Sequence, residues 1–420
     1  MSLLLGAIAD DYTGASDLAN MLTRNGLSTI QTIGIRAFDF AVADIEAAVI
    51  ALKIRSVAAA HAVEAAYLAY DWLAARGARH VMYKICSTFD STDAGNIGPV
   101  TDALRSRAGA GAALVTPAFP ETGRTVYHGH LFVGDVPLHE SPLKDHPLNP
   151  MHDSNLVRVL QRQSRALVGL VDLPTVARGA DAITQRLKAL ERQGCGAAIV
   201  DAVFEHDLEA IGEAAARCRI STGASGLGLG LARTLALSAT AGATTLEPVG
   251  GLAAILAGSC SRATLEQIAA AEPDMPVLRL DPARLIDYGA EVAGAVTWAQ
   301  ERLGAGPALI ASSAEPERVV ALQTRFGRDA SGHAIERALA EIAAGLVERG
   351  VRRLIVAGGE TSGAVVDRLG VAAFRLGPEI APGVPLMRTV GRADGDLQMA
   401  LKSGNFGGRD FFARALAMTC

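Results

Sequence analysis

Short apolar runs recur along the whole chain, and most break into small or polar residues and then into a helical pattern. Residues 3–9, 29–35, 47–52, 80–85, 112–116, 166–171 and 197–201 read as strands, with amphipathic stretches such as 58–76 and 180–193 between them. Continuous apolar runs of this length suit strands buried on both faces. Strands that alternate with helices form parallel sheets, because a parallel pair needs a crossover connection. The alternation resumes after residue 251, with strands at 252–257, 277–280, 308–312 and 354–357 and helices at 263–271, 290–303, 333–349 and 362–369. Between the two series, 238–251 lacks periodicity and reads as a linker. A length of 420 residues also exceeds one ordinary domain. The expected fold is α/β, in two domains, 1–247 and 248–420, each a mostly parallel sheet with helices on both faces.

Composition narrows the function. The formal charge is -5, so no polybasic surface for nucleic acid is expected. No apolar stretch approaches the ~20 residues of a membrane span. The N-terminus lacks a basic segment and meets Asp10 and Asp11 early, so it reads as a strand and not as a secretory signal. Cys86, Cys195, Cys218, Cys260 and Cys420 are scattered with no Cys-x-x-Cys, which suits reduced thiols in the cytoplasm. The oligomeric state is left open, a homo-oligomer included.

In the second half, the strand at 354–357 runs into Gly358, Gly359, Glu360, Thr361, Ser362 and Gly363 and then into a helix. A helix that opens from a Gly-rich turn leaves backbone N–H groups without intrahelical partners, which suits phosphate. The ordinary alternative is a cap by Thr361 or Ser362. Gly258-Ser259-Cys260-Ser261, Ser312-Ser313 and Lys402-Ser403-Gly404 repeat the device. Loops at the carboxyl ends of parallel strands share one edge, so they can converge on a nucleotide. No Walker A pattern occurs, and no Gly-x-Gly-x-x-Gly follows a strand. Gly226, Gly228 and Gly230 sit inside an apolar helical run and read as packing.

In the first half, Asp10 and Asp11 end the first strand, where they could hold hydroxyls, act as a base or hold Mg²⁺. Lys84 lies at the end of the fourth strand with Ser87 and Thr88 in the polar loop after it, Lys53 and Arg55 follow the third, and Arg124 closes the loop after the fifth. Cations shared by several strand ends favour an anionic substrate. Of nine histidines, His128, His130, His139, His146 and His152 crowd one Pro-rich stretch, read as a loop packed over the substrate in preference to a zinc site.

These segments, from Asp10-Asp11-Tyr12-Thr13-Gly14 through Lys84–Thr88, 117–124, Gly258–Ser261 and Gly358–Gly363 to Lys402–Gly407, resemble the motifs of the four-carbon acid sugar kinases. The stretch 129–151 is similar to that of 3-oxo-tetronate 4-kinases. One departure is Phe89-Asp90, where several members of the family carry Arg-Gly. The resemblance implies an N-terminal domain for the acid sugar, a C-terminal domain for ATP and an active site in the interdomain cleft. By motif, Ser259, Gly358, Gly359, Glu360, Thr361, Ser362 and Gly404 are the ATP candidates. Arg55, Lys84, Ser87, Thr88 and Arg124 are the substrate candidates, and Asp10 and Asp11 the catalytic ones, with Mg²⁺ carried by the ATP phosphates. The expected reaction is phosphorylation of the terminal 4-hydroxyl of 3-oxo-tetronate. The alternatives are a D-threonate or D-erythronate kinase, a phosphohydrolase using the Asp pair, and a non-catalytic acid-sugar and nucleotide sensor.

Overall fold

The computed structural model describes residues 3–35, 45–145, 149–237, 246–286, 290–314, 324 and 328–419. The chain divides into two compact units, Met1–Thr244 and Thr245–Cys420. His146 and part of the expected linker lie outside the described residues.

The first unit holds β1 (Leu5–Ala9), β2 (Thr29–Ile33), β3 (Ala47–Ala51), β4 (His80–Lys84), β5 (Ala113–Thr116), β6 (Arg124–Tyr127), β7 (His130–Val133), β8 (Val136–Pro137), β9 (Leu167–Val171), β10 (Cys195–Val200) and β11 (Ile220–Gly223). Its helices are α1 (Tyr12–Arg24), α2 (Ala59–Ala75), α3 (Ile97–Ala108), α4 (Leu156–Gln163), α5 (Leu173–Val176), α6 (Ala180–Arg192), α7 (Glu205–Ala216) and α8 (Ser225–Ala236). Within this unit the sheet order is β2-β3-β1-β4-β11-β5-β10-β9. Every pairing is parallel. β1 and β3 are wholly apolar, β5 is apolar up to Thr116, and all three are buried because helices cover both faces of the sheet. Parallel pairing puts every carboxyl end on one edge, with the loop after β1 flanked by those of β3 and β4.

Two features differ from the expectation. β11 reads Ile-Ser-Thr-Gly, too polar to stand out as a buried strand. Its hydroxyls are buried because they are paired: Ser221 Oγ lies 2.8 Å from His80 Nε2, and Thr222 Oγ1 lies 2.9 Å from Thr101 Oγ1. The His/Pro-rich stretch is not one loop: β6, β7 and β8 form a separate three-stranded antiparallel sheet before short 3₁₀ turns. The Gly226–Gly230 run is helical packing. A Cβ on Gly230 would lie 1.9 Å from the Leu208 carbonyl oxygen of α7.

The second unit holds β12 (Leu252–Ala257), β13 (Val277–Arg279), β14 (Ala308–Ala311), β15 (Val351–Ala357), β16 (Ala373–Ala381), β17 (Val384–Val390) and β18 (Gln398–Lys402). Its helices are α9 (Arg262–Ala271), α10 (Pro282–Ile286), α11 (Ala290–Leu303), α12 (Arg328–Glu348), α13 (Gly359–Arg368) and α14 (Phe411–Met418). The order is β13-β14-β12-β15-β18-β17-β16. The first five are parallel, and β17 and β16 close the series as an antiparallel meander. Alternate residues make one core: Ile255 and Ala257, Leu309 and Ala311, and Ile355 and Ala357 join Ile268 of α9 and Phe411 and Phe412 of α14. The meander escapes the sequence pattern because Gly377 and Pro378 interrupt β16, where the register shifts. Among the described residues no helix is long and apolar enough to cross a membrane.

Candidate functional site

In the second unit, the loops after β14, β12, β15 and β18 stand side by side on one edge. They bring Ser312, Gly258-Ser259, Gly358-Gly359 and Ser403-Gly404 together, although these are far apart in sequence. A cleft of about 280 Å³ opens here, lined by Ser259, Ser312, Gly358, Gly359, Glu360 and Thr361, with Pro282 and Ile335 as its apolar side. The backbone is tight. A Cβ on Gly258 would lie 2.2 Å from Thr361 Oγ1, and one on Gly404 would lie 2.2 Å from Ser259 Oγ.

The start of α13 is the chemical centre of this cleft. Gly358 is its N-cap, at φ 129°, and no side chain caps the helix. The first intrahelical bond runs from Ser362 N to Gly358 O at 2.8 Å. The N–H groups of Gly359, Glu360 and Thr361 therefore precede the hydrogen-bonded ladder. By contrast, α9 is capped by Ser261 and α1 by Asp11. The Ser312 hydroxyl is buried on the same cleft without a hydrogen-bond partner among the described residues. Such donors beside the positive end of a helix suit an anion. Ser362 departs from the expected set: its N–H is in the helix ladder, and its buried hydroxyl faces the Val356 carbonyl at 3.5 Å.

The first unit places Asp10 and Asp11 between cations from both neighbouring strands. Arg55, after β3, donates from Nε to Asp10 Oδ2 and from Nη2 to Asp10 Oδ1, both at 2.8 Å, and reaches Asp11 Oδ1 at 2.9 Å. Asp11 also caps α1, accepting from Gly14 N at 3.0 Å and Thr13 Oγ1 at 2.8 Å. Lys84, the last residue of β4, is buried and donates to the Ile85 carbonyl at 2.9 Å. Burial raises the Asp10 carboxyl above its usual range against the pull of Arg55. Burial acts the same way on Asp11, but Arg55, Lys84, Thr13 and Gly14 together outweigh it and hold Asp11 low.

Not every expected residue enters this cluster. Arg55 is in the cluster, but its guanidinium is already engaged by the two aspartates, with the side chain 23% exposed. Thr88 donates to Asp90 Oδ1 at 2.6 Å and contacts Cys86 Sγ at 2.8 Å, while Ser87 is half-buried on the same turn. Arg124 hydrogen-bonds the Thr122 carbonyl, and its Nε is buried without a partner among the described residues. Two residues escaped the sequence reading. Asn96 donates to the carbonyls of Ile54 at 2.6 Å and Val57 at 2.8 Å, fixing the loop that carries Arg55. Asp201, buried after β10, accepts from the N–H groups of His128, Gly129 and Leu173 at 2.8, 2.8 and 3.0 Å and so anchors the small sheet. Only an Asn ahead of a helix and an Asp at a strand end signalled them. Among the described residues no three metal-ligating side chains gather.

The chain matches a sugar-binding N-terminal domain over residues 5–231 and a nucleotide-binding C-terminal domain over 254–412. It is 66% identical to a 3-oxo-tetronate kinase of Methylobacterium radiotolerans, with all of both chains covered. It is 50% identical to a 3-oxo-tetronate kinase of Burkholderia multivorans, covering 98% of this chain and 96% of the relative. The chain belongs to the 3-oxo-tetronate kinase family. Two solved structures share its fold. A Haemophilus influenzae protein of a domain family of unknown function is 41% identical, with TM-score 0.85 over 99% of this chain and 100% of the other. A Salmonella typhimurium protein described as a putative tRNA synthase is 39% identical, with TM-score 0.90 over 98% of each. In this kinase family, the cluster around Asp10 falls within the sugar-binding match and the cleft at α13 within the nucleotide-binding match.

Proposed function

We propose that the protein is an ATP-dependent kinase that phosphorylates the 4-hydroxyl of 3-oxo-tetronate. The reaction forms the C4–O–P bond and breaks the bond between the γ-phosphorus and its bridging oxygen. The products are 3-oxo-tetronate 4-phosphate and ADP, with the hydroxyl proton released. The uncapped start of α13 carries this reading, because a helix lacking its cap over a Gly/Ser-walled cleft is suited to nucleotide phosphates. The kinase names of relatives matching the whole chain support it.

Phosphoryl transfer asks for in-line positioning and charge neutralisation more than for covalent help. The N–H groups of Gly359, Glu360 and Thr361, with Ser259, Ser312 and the backbone of Gly404, would hold the phosphates. Mg²⁺ would arrive on the phosphates, and the Glu360 carboxylate lining the cleft fits an ion that keeps most of its oxygen ligands from ATP and water. When bound, it offsets phosphate charge. Asp11, more open than Asp10, would accept a hydrogen bond from the 4-hydroxyl, and its low proton affinity suits orientation better than proton removal. Asp10 would act by fixing Arg55. Lys84, Ser87, Thr88 and Arg124 would face the acid, and 1–247 and 248–420 would serve the sugar and the nucleotide respectively.

The test incubates the protein with ATP and Mg²⁺ and offers 3-oxo-tetronate, D-threonate and D-erythronate separately. ADP should appear with 3-oxo-tetronate at the highest kcat/KM. No acceptor-dependent ADP with any of the three sinks the proposal, and phosphate release without an acceptor points to a hydrolase.

A further inference from the structure

The loop after β18 carries its carbonyl groups in an unusual way. Lys402 Nζ donates to the carbonyls of Ser403 and Gly404 at 3.1 and 2.9 Å, and to Thr264 Oγ1 at 3.1 Å. The Gly404 carbonyl also accepts from Ser261 Oγ at 2.7 Å and Thr264 Oγ1 at 2.9 Å. Gln267 Nε2 then faces the carbonyls of Phe406, Gly407 and Gly408 at 3.0, 2.9 and 3.1 Å. Three acceptors round one atom assign that atom as the amide nitrogen. Both side chains are buried, and no carboxylate pairs with Lys402 among the described residues; burial lowers its ammonium to about 8. A buried lysine held by neutral oxygens, with only the Phe411 ring at 5.8 Å beside them and no counter-charge, is costly, so its place here calls for a reason.

Peptide geometry supplies one. In a planar trans peptide the C=O of one residue points opposite to the N–H of the next, and no cis bond occurs among the described residues. Carbonyls 403, 404, 406, 407 and 408 are all drawn toward α9 and Lys402. The N–H groups of Gly404, Asn405, Gly407, Gly408 and Arg409 must therefore turn the other way, and none has a partner among the described residues. Gly404 itself abuts Ser259 of the cleft. We infer that Lys402 and Gln267 are positioning residues for phosphoryl transfer: they pin the carbonyls of this loop so that its N–H groups face the nucleotide phosphates. Neither side chain touches the nucleotide. The inference rests on the kinase reading above.

The experiment compares the full chain with K402M and Q267L, two variants on different elements that remove the donors at similar volume. Steady-state KM for ATP, KM for 3-oxo-tetronate, and the affinities for ADP and adenosine by calorimetry are measured for each. The expected result is an ATP KM and an ADP Kd raised at least tenfold, an acid KM within twofold, and an adenosine Kd within twofold. A collapsed cleft would weaken adenosine as well. Unchanged ADP affinity in Q267L, with normal turnover of the unaltered protein, overturns the inference and leaves the kinase reading standing. An equal loss for adenosine and ADP in both variants also overturns it. Failure of the unaltered protein to produce acceptor-dependent ADP is instead a failure of the kinase reading.

Discussion

Asp10→Asn separates positioning of the acid-sugar cluster from handling of ATP. Asp10 is 3% exposed and takes both prongs of Arg55 at 2.8 Å. Asparagine keeps one acceptor but presents an N–H₂ to a guanidinium N–H, so one of the two bonds becomes donor against donor. Removing one partner of a buried ion pair costs about 3–5 kcal/mol. Arg55 keeps its contact with Asp11 at 2.9 Å, so the lower end applies, about 3 kcal/mol of unfolding free energy in urea titration. The guanidinium should also shift, and a displacement of ~1 Å at a positioning group costs on the order of 100-fold. The expected kinetics are a kcat/KM for the acid lowered ~100-fold and a KM for ATP within twofold. A stability loss below about 1 kcal/mol would mean that Asp10 is protonated in the fold and forms no charged pair. An ATP KM that rises with the acid KM would refute the assignment of Asp10 to the acid side.

Asp11→Asn should lower turnover with 3-oxo-tetronate while leaving ADP affinity within twofold; unchanged kcat removes Asp11 from the acceptor site. Gly258→Ala places a Cβ 2.2 Å from Thr361 Oγ1 and should raise the ATP KM at least tenfold, with Thr361→Ala restoring part of the loss in the double variant. His80, buried between the Cys218 carbonyl and Ser221 Oγ at 2.8 Å each, is pushed by burial down to about 4 from an ordinary 6.5. Its folded-state value lies below the unfolded one, so its stabilising contribution is complete above 6.5 and is lost as pH falls through 4. Urea unfolding at pH 7.5 and 4.0 should show the unaltered protein losing about 3 kcal/mol more than His80→Gln, and equal losses would contradict this.

Much of this was legible in the sequence because both candidate sites sit where apolar strands stop. The Gly358–Thr361 turn was recognisable from glycines between a strand and a helix, and the structure adds that the helix has no side-chain cap. Asp10 and Asp11 were recognisable as adjacent carboxylates after β1. Their link to Arg55 was not, since it depends on β3 lying beside β1, a fact of strand order that no local pattern carries. Lys402 was legible only as part of a strand-end loop with Ser403 and Gly404, whereas its amine is buried against backbone carbonyls. β11 stayed hidden because its polar residues are satisfied across the sheet by His80 and Thr101. The β6–β8 sheet stayed hidden because its strands are too short to establish a period.

The cleft of the second unit is assembled from the ends of four strands, and no short segment of the chain holds a complete set of its donors. Binding there is therefore linked to folding of the unit as one block, not to the ordering of one loop. A nucleotide at 100 times its Kd would add about 2.7 kcal/mol to the unfolding free energy of the second unit. Opening any one of β12, β14, β15 or β18 would forfeit that whole amount at once. Hydrogen exchange in the presence of ADP should accordingly slow at the centre of all four strands together, including amides far from any phosphate.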